Sequence, residues 1–275
     1  MKRKKGVAGV LLTIISTLVA VLFLFPVIWA LAVSFKKEGT AVSNAIQWFL
    51  PPYTAQNYPR VLFDSKVPLW LFNSVVIALV STLLVVMLSA MAAYALSKIR
   101  FRGSGLVYLF FLIGLMVPGE ATIIPLYIIC NRLHLLDSYV GIMAPMIAVS
   151  MNMIILTNFF KGIPDELIEA AIIDGAGHGK IFARLILPLS KPVLVTVAIF
   201  AFMASWNNYL WPFLCAMDEN IFTLPVGIPT FIGQYSIDYV VPLTASMVAS
   251  IPAIVAYLLL ERYIVEGIAM TGVKG

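Results

Sequence analysis

Six long apolar runs constrain this chain more than any other feature of its sequence. A helix that crosses a bilayer needs about 20 consecutive apolar residues, and a span in lipid must satisfy its backbone polar groups internally, which favours helices. Only 11% of the 275 residues are charged, whereas soluble domains carry about 25%. The pattern predicts an all-α, polytopic membrane protein with six transmembrane helices in one domain, residues 1–275. The runs are Val7–Phe35, Leu69–Ser97, Gly105–Cys130, Ser138–Phe160, Val193–Met217 and Tyr239–Leu260.

The distribution of lysine and arginine predicts how the spans are oriented. With the N-terminus in the cytoplasm, 13 of the 18 Lys and Arg residues fall on the cytoplasmic side and 5 outside, which is the bias expected of a membrane protein. We therefore expect both termini in the cytoplasm and the first run to remain as an uncleaved span. The net charge of +5 follows from this topology and does not indicate nucleic-acid binding. The long connections are 36–68 (outside), 161–192 (cytoplasmic) and 218–238 (outside).

The cytoplasmic loop, residues 161–192, contains the pattern of a short helix. Pro164 suits the first helical position, and Asp165 and Glu166 suit the positive end of the helix dipole. Gly175 suits the left-handed backbone conformation with which helices often end. A second helix is expected at Lys180–Leu187.

One face of the first loop helix is shaped for close contact. Helical spacing collects on it Leu167, Ala170, Ala171 and Asp174. Two alanines there would let another surface approach closely, and Glu169 offers a charge on a neighbouring face. The residues alone leave two alternatives open: a helix that sits in a partner's groove, or a solvated connector lying against the bundle.

Several motifs resemble those of one transporter family. The run from Glu166 to Ala176, closing with Leu187-Pro188-Leu189-Ser190-Lys191-Pro192, is similar to the signature (EAA) loop of binding-protein-dependent permeases of ATP-binding-cassette (ABC) importers. More narrowly, the chain resembles the carbohydrate-uptake, maltose-type permeases over most of its length. The other matching segments are Phe72-Asn73-Ser74, Ala92-Ala93-Tyr94-Ala95-Leu96-Ser97, Phe101-Arg102-Gly103, Ile124-Pro125-Leu126-Tyr127, Ser205-Trp206-Asn207-Asn208 and 265–275. One departure, Gly177-His178-Gly179, weakens the start of the second loop helix.

The resemblance implies a fold, an activity and partners. The fold would be that of type I ABC importer permeases, and the chain would form half of the pathway for a sugar, in the first place a di- or oligosaccharide, by alternating access. Its partners would be a second permease subunit, two ATPase subunits and an extracytoplasmic solute-binding protein, in a prokaryotic inner membrane. The ATPase subunits would use ATP and Mg²⁺, so no cofactor is expected on this chain.

The resemblance also implies roles for particular residues. ATPase coupling would fall to the loop residues Glu166, Glu169, Ala170, Ala171, Asp174 and Gly175. Contact with the solute-binding protein would fall to Thr223, Leu224, Pro225 and Gly227 in the outer loop.

Two polar residues are candidates for the translocation path. Glu120 is the one acid inside an apolar run, which makes it a functional candidate, but its place after Pro118 also fits the outer surface. Asn207 either lines a cavity or forms a hydrogen bond between helices.

No catalytic or metal-binding pattern accompanies these motifs in the sequence. The segment from Gly175 to Lys180 lacks the first glycine and the final Ser or Thr of a Walker motif. His134 and His178 are far apart, without further ligands at metal-binding spacing. We therefore expect a transport subunit, not an enzyme. The alternatives are a self-contained ion-coupled transporter, supported only by Glu120, and a membrane-embedded enzyme.

Overall fold

A computed structural model of the chain describes residues 7–40, 45–234 and 239–272. Its helices are α1 (Val7–Ser34), α2 (Ala45–Trp48), α3 (Asn57–Phe63), α4 (Val67–Lys98), α5 (Ser104–Met116), α6 (Gly119–Arg132), α7 (Tyr139–Ile147), α8 (Ser150–Lys161), α9 (Asp165–Ile173), α10 (His178–Leu189), α11 (Lys191–Trp206), α12 (Leu210–Cys215), α13 (Leu224–Gly227), α14 (Thr230–Gln234) and α15 (Val240–Gly272). Among these described residues the sole β pairing is an isolated bridge between Lys36 and Tyr53. The predicted all-α class is confirmed.

Three helices are long and apolar enough to cross a membrane by themselves. They are α1, α4 and α15, and they correspond to the first, second and sixth apolar runs. When each bent pair of shorter helices is counted as one span, the described part of the chain has up to six. The polytopic helical architecture expected from the six runs is therefore present.

The remaining spans are broken. α5 and α6 meet at 103°, α7 and α8 at 43°, and α10 and α11 at 82°. Between α5 and α6, Val117 and Pro118 have extended backbones, with ψ of 117° and 133°. Since proline also has no N–H to donate to the preceding turn, the run predicted at Gly105–Cys130 forms two helices rather than one straight span. Pro26 and Pro252, in contrast, lie within continuous helices.

α1 exposes apolar side chains around its circumference. Leu22 and Phe23 are 72% and 76% exposed, and none of the helix's membrane-spanning window is buried. A helix that is apolar on all sides is stable only in an apolar environment. The surface of α1 therefore requires lipid or another subunit around it.

The chain forms two compact units, Met1–Pro68 with Gly227–Ile251 and Leu69–Val226 with Pro252–Gly275. In the first unit, the buried side-chain amide of Asn57 donates to the backbone oxygens of Ser34 and Lys36, both at 2.7 Å. The Ser34 hydroxyl lies 2.8 Å from that of Tyr58. These bonds fasten the end of α1 to α3.

The described residues of the second unit form two clusters of buried apolar side chains. The first joins α4, α8, α9, α10 and α11 through Ala90, Ala93, Tyr94, Leu156, Phe160, Ile163, Ile168, Ile181, Ile186, Val193 and Val197. We call it the loop-helix cluster. The second joins α4, α6, α7 and α12 through Ile77, Cys130, Ile142, Trp211, Cys215 and Ala216. The two clusters set the positions of the two loops that the sequence singled out.

Candidate functional site

Helix α9 is the short loop helix that the sequence predicted. It begins at Asp165, and Pro164 is its capping residue, with φ −57° and ψ 133°. Pro164 therefore precedes the first helical position instead of occupying it, because its ψ is extended. Asp165 and Glu166 lie in the first turn, where their negative charges favour the helix dipole.

The end of α9 is closed by a Schellman motif. Gly175 has φ +78°, as predicted for a left-handed terminator. The Ala176 amide donates to the Ala171 oxygen and the Gly175 amide to the Ile172 oxygen, both at 2.9 Å. These two bonds satisfy carbonyl groups that the end of a helix leaves free. The helix therefore has a defined length and direction.

One side of α9 packs on the chain's own core. Ile168 is 6% exposed and belongs to the loop-helix cluster, and Ala171 is partly buried against it. The face predicted from helical spacing is thus divided, since Ala171 contacts the cluster while Leu167, Ala170 and Asp174 are exposed. The helix is rotated slightly from the predicted orientation, because Ile168 packs into the loop-helix cluster.

The start of α9 is held by Lys98, a residue that no motif in the sequence singles out. The Lys98 ammonium, at the end of α4, donates to the Ile163 oxygen at 2.6 Å and to Asp165 Oδ1 at 2.5 Å. Its side chain is 2% exposed, whereas that of Asp165 is 65% exposed. The hydrogen bond and positive charge of Lys98 hold the pKa of Asp165 below its usual value. α4 and α9 are thereby joined directly.

The outward side of α9 presents a mixed apolar and acidic surface. We call it the outer face; its exposed residues are Glu166, Leu167, Glu169, Ala170, Ile173 and Asp174. Leu167 is 44% exposed and Ile173 85%. Exposed apolar groups flanked by charges are the composition of an interaction surface.

The second loop helix is longer than predicted. α10 runs from His178 to Leu189 and includes a π-helical turn at Phe182–Ile186. The Tyr94 hydroxyl lies 3.1 Å from His178 Nδ1, and the Tyr94 ring lies 5.3 Å from that of Phe182. These contacts to α4 support the start of α10 despite Gly177 and Gly179 on either side of His178.

In the other predicted loop, buried polar side chains of α4 form hydrogen bonds with the segment 218–224. The Asn73 amide donates to the backbone oxygens of Asn220 (2.8 Å) and Phe222 (2.9 Å). Asn73 Oδ1 accepts from the Tyr139 hydroxyl at 2.6 Å. The Ser74 hydroxyl accepts from the Leu224 amide at 2.8 Å. Asn73 and Ser74 belong to a motif that carried the family resemblance, and the structure gives them this positioning role.

The four residues predicted to contact a solute-binding protein lie mostly inside the chain. Thr223 and Leu224 are 4% and 1% exposed, Gly227 is buried and Pro225 is half-buried. In this segment Asp218, Glu219 and Asn220 are the exposed residues. Contact through Thr223 or Leu224 side chains therefore requires a rearrangement, whereas contact through 218–220 does not.

The two predicted path residues are both exposed and belong to different helices. Glu120 lies in the first turn of α6. Asn207 caps α11, and its side-chain amide donates to the Met203 oxygen at 3.0 Å. A cavity of about 430 Å³ lies next to this cap but is lined by Asn208 rather than Asn207. Within the described ranges, no three His, Cys, Asp or Glu residues gather as metal ligands would.

Comparison with known proteins gives one consistent result. The family model described as "binding-protein-dependent transport system inner membrane component" matches residues 85–269. The arabinooligosaccharide transport system permease AraQ of Bacillus subtilis is 30% identical, over 98% of this chain and 97% of that protein. The trehalose/maltose transport system permease MalG of Thermococcus litoralis is 34% identical, over 99% of both.

A solved structure is similar along almost the whole chain. It belongs to a bacterial ABC transporter that imports the acidic polysaccharide alginate, with a TM-score of 0.83 and 25% identity. The similarity covers 96% of this chain and 98% of the other. The likeness that the sequence motifs suggested therefore extends to the complete fold.

Proposed function

Because the chain belongs to the family of binding-protein-dependent transport system inner membrane components, we propose that α9 couples it to a cytoplasmic ATPase subunit. The chain is a permease subunit of an ABC importer and not an enzyme. Family membership implies a second permease subunit, ATPase subunits and a solute-binding protein as partners. The proposal concerns which surface of this chain does the coupling, and what the importer carries.

The substrate that we propose is an oligosaccharide. AraQ and MalG, which match the chain from end to end, are named for arabinooligosaccharide and for trehalose and maltose transport. The transporter of similar structure imports a polysaccharide. These names support a sugar of two or more units as the cargo.

The outer face of α9 is the observation that carries the coupling role. It combines exposed apolar side chains, Leu167 and Ile173, with the small Ala170. Docking such a face in a groove would stabilise the complex by about 25 cal/mol for each Å² of apolar area that becomes buried. The small Ala170 side chain would allow close approach. Glu166 and Glu169 would pair with basic groups at the rim of the groove.

The anchoring of α9 provides the path by which its movement would reach the spans. Lys98 ties its start to α4, and Ile168 packs among residues of α8 and α11. Because packed interiors resist compression, a displacement of α9 would move these helices together. Alternating access would follow from such a movement of packed helices.

The test replaces Ala170 by tryptophan in the assembled importer. Bulk at a tight interface should cost about 1–3 kcal/mol, so we expect ATPase co-purification and ATP-driven uptake to fall by about 5- to 150-fold. Glu169→Lys should weaken both as well. The matched control is Ala183→Trp, an exposed alanine on α10, which should leave both unchanged.

The outcomes separate the coupling role from its alternatives. A solvated connector predicts undiminished association and uptake in both Ala170→Trp and Glu169→Lys. Concentrative uptake by the reconstituted chain without any ATPase, driven by an ion gradient, would support a self-contained transporter instead. Either result would overturn the proposal.

A further inference from the structure

A second cavity of about 430 Å³ lies at the short connection between α4 and α5, residues 99–103. The candidate membrane spans on either side end at Lys98 and begin at Ser104, so the connection lies at the boundary of the membrane. The polar side chains of the lining are Ser97, Lys98, Arg100, Arg102, Ser104 and Asp165. Because Asp165 starts α9, the cavity lies at the end of the bundle that carries the loop helix. It includes Phe101-Arg102-Gly103, a motif that neither the coupling surface nor the outer loop uses.

Two arginines of the lining have no counter-charge. Arg100 and Arg102 are exposed, and neither guanidinium forms an ion pair or a side-chain hydrogen bond with another described residue. Lys98 differs, because its ammonium is paired with Asp165 and those two charges offset each other. The cavity therefore carries an excess of positive charge, which the two arginines provide.

The groups around this charge are suited to a phosphate. A guanidinium can donate two parallel hydrogen bonds to phosphate oxygens. The Ser104 hydroxyl also lines the cavity and has no hydrogen-bond partner among the described residues. α5 begins at Ser104, and the positive end of its dipole favours an anion at the same place. Arginine, hydroxyl and helix dipole thus favour the same kind of ligand.

An exposed apolar surface begins directly beside the cavity. Phe101 is part of the lining, and Leu106 and Phe110, one turn apart on α5, are 74% and 72% exposed. No residue of α5 is buried. The Lys161 ammonium lies 4.6 Å from the centre of the Tyr108 ring, and tyrosine is typical of the membrane–water interface. An anion with acyl chains would cover this surface, whereas a soluble phosphate would leave it uncovered.

We propose that this cavity binds the headgroup phosphate of an anionic phospholipid, with Arg100 and Arg102 as its ligands and the acyl chains along α5. Basic residues next to a membrane span attract anionic lipids in general. Two unpaired arginines in a cavity beside an exposed apolar helix provide, in addition, a defined site. Because Asp165 lines the same cavity, the lipid would lie against the start of α9. The inference depends neither on the cargo nor on the coupling role of α9.

The test titrates the complete purified importer with lipids whose acyl chains are brominated and therefore quench tryptophan fluorescence. Phe101→Trp places the reporter at the cavity, and the signal of the importer without this substitution is subtracted. We expect brominated phosphatidylglycerol to quench the reporter at lower concentration than brominated phosphatidylcholine, which is zwitterionic. Arg100→Gln and Arg102→Gln, each added to the reporter, should lower the affinity for phosphatidylglycerol about fivefold, the effect of one basic residue at an anionic lipid surface.

Arg184→Gln is the matched control, because Arg184 is an exposed arginine on α10 that does not line the cavity; its affinity should equal that of the reporter alone. Equal quenching by the two lipids, or equal affinity in all three glutamine variants, would overturn the inference. Tight binding of glycerol phosphate in competition with the lipid would assign the cavity to a soluble phosphate compound instead. Loss of the ATPase subunits from Arg100→Gln and Arg102→Gln at unchanged lipid affinity would assign the arginines to a protein contact. Both of these results would also contradict the lipid site.

Discussion

The buried side-chain amide of Asn73 donates two hydrogen bonds to the segment 218–224, and its oxygen accepts a third from Tyr139. Asn73→Leu should remove the bonds to the carbonyls of Asn220 and Phe222, at about 0.5–1.5 kcal/mol for each bond. We expect hydrogen exchange in 218–224 to become at least about tenfold faster. Asn207→Leu, which removes only a bond within its own helix, should leave that exchange unchanged. Equal exchange in both variants would show that the other contacts of the segment, such as the bond from the Leu224 amide to Ser74, hold it without Asn73.

The pair of Lys98 and Asp165 makes a prediction about pH. The pKa of Asp165 is lowered in the folded chain by its hydrogen bond from Lys98 and by that residue's charge. The stabilisation is therefore complete above the usual aspartate pKa of about 3.9 and is lost only as the pH falls through the lowered value. Between pH 5 and 8, ATPase association should therefore depend on pH in the same way in the wild type and in Asp165→Asn. A transition in this range that is present in the wild type and absent from Asp165→Asn would contradict this.

At the scale of the element, α9 depends on its terminating glycine. Gly175 has φ +78° and no neighbouring atom that an added Cβ would meet, so any cost of substitution comes from the backbone. Gly175→Val should destabilise the turn by about 1–2 kcal/mol or more, and ATPase association should fall while membrane insertion persists. Gly177→Val is the control, because Gly177 has φ −74° and open space. If the two valine variants behave alike, the left-handed turn is not what coupling requires.

At the scale of the whole molecule, the orientation in the membrane decides whether α9 can meet an ATPase. The excess of basic residues in alternate connections predicts that α9 is cytoplasmic and 218–224 is outside. Single cysteines at Gly177 and Asn220, both exposed, report on the two sides. The native Cys130 and Cys215 are 3% and 0% exposed, which keeps the background low.

An impermeant thiol reagent applied to intact cells should label Asn220→Cys and should label Gly177→Cys only after permeabilisation. Expression and insertion are compared through total labelling of denatured protein. The reverse pattern would place α9 outside and exclude the coupling role.

Much of the architecture follows from local properties of the sequence. Apolar runs of spanning length, Gly175 at the end of a helix and the acids after Pro164 each act over a few residues, so the fold class, the spans and α9 were predictable. The breaks in the membrane spans were only partly predictable. Pro118 ends a helix while Pro26 lies within a continuous one, so the presence of a proline did not by itself predict a break.

Tertiary structure decided which residues meet. Asn73 and Phe222, like Lys98 and Asp165, are distant in the sequence, and their types alone do not identify them as partners. The orientation of α9 also depended on packing: Ile168 turns Ala171 inward and leaves Ala170 exposed. Packing against other parts of the chain likewise buries Thr223 and Leu224. Sequence periodicity gives the faces of a helix, but the choice of the buried face requires the surrounding helices.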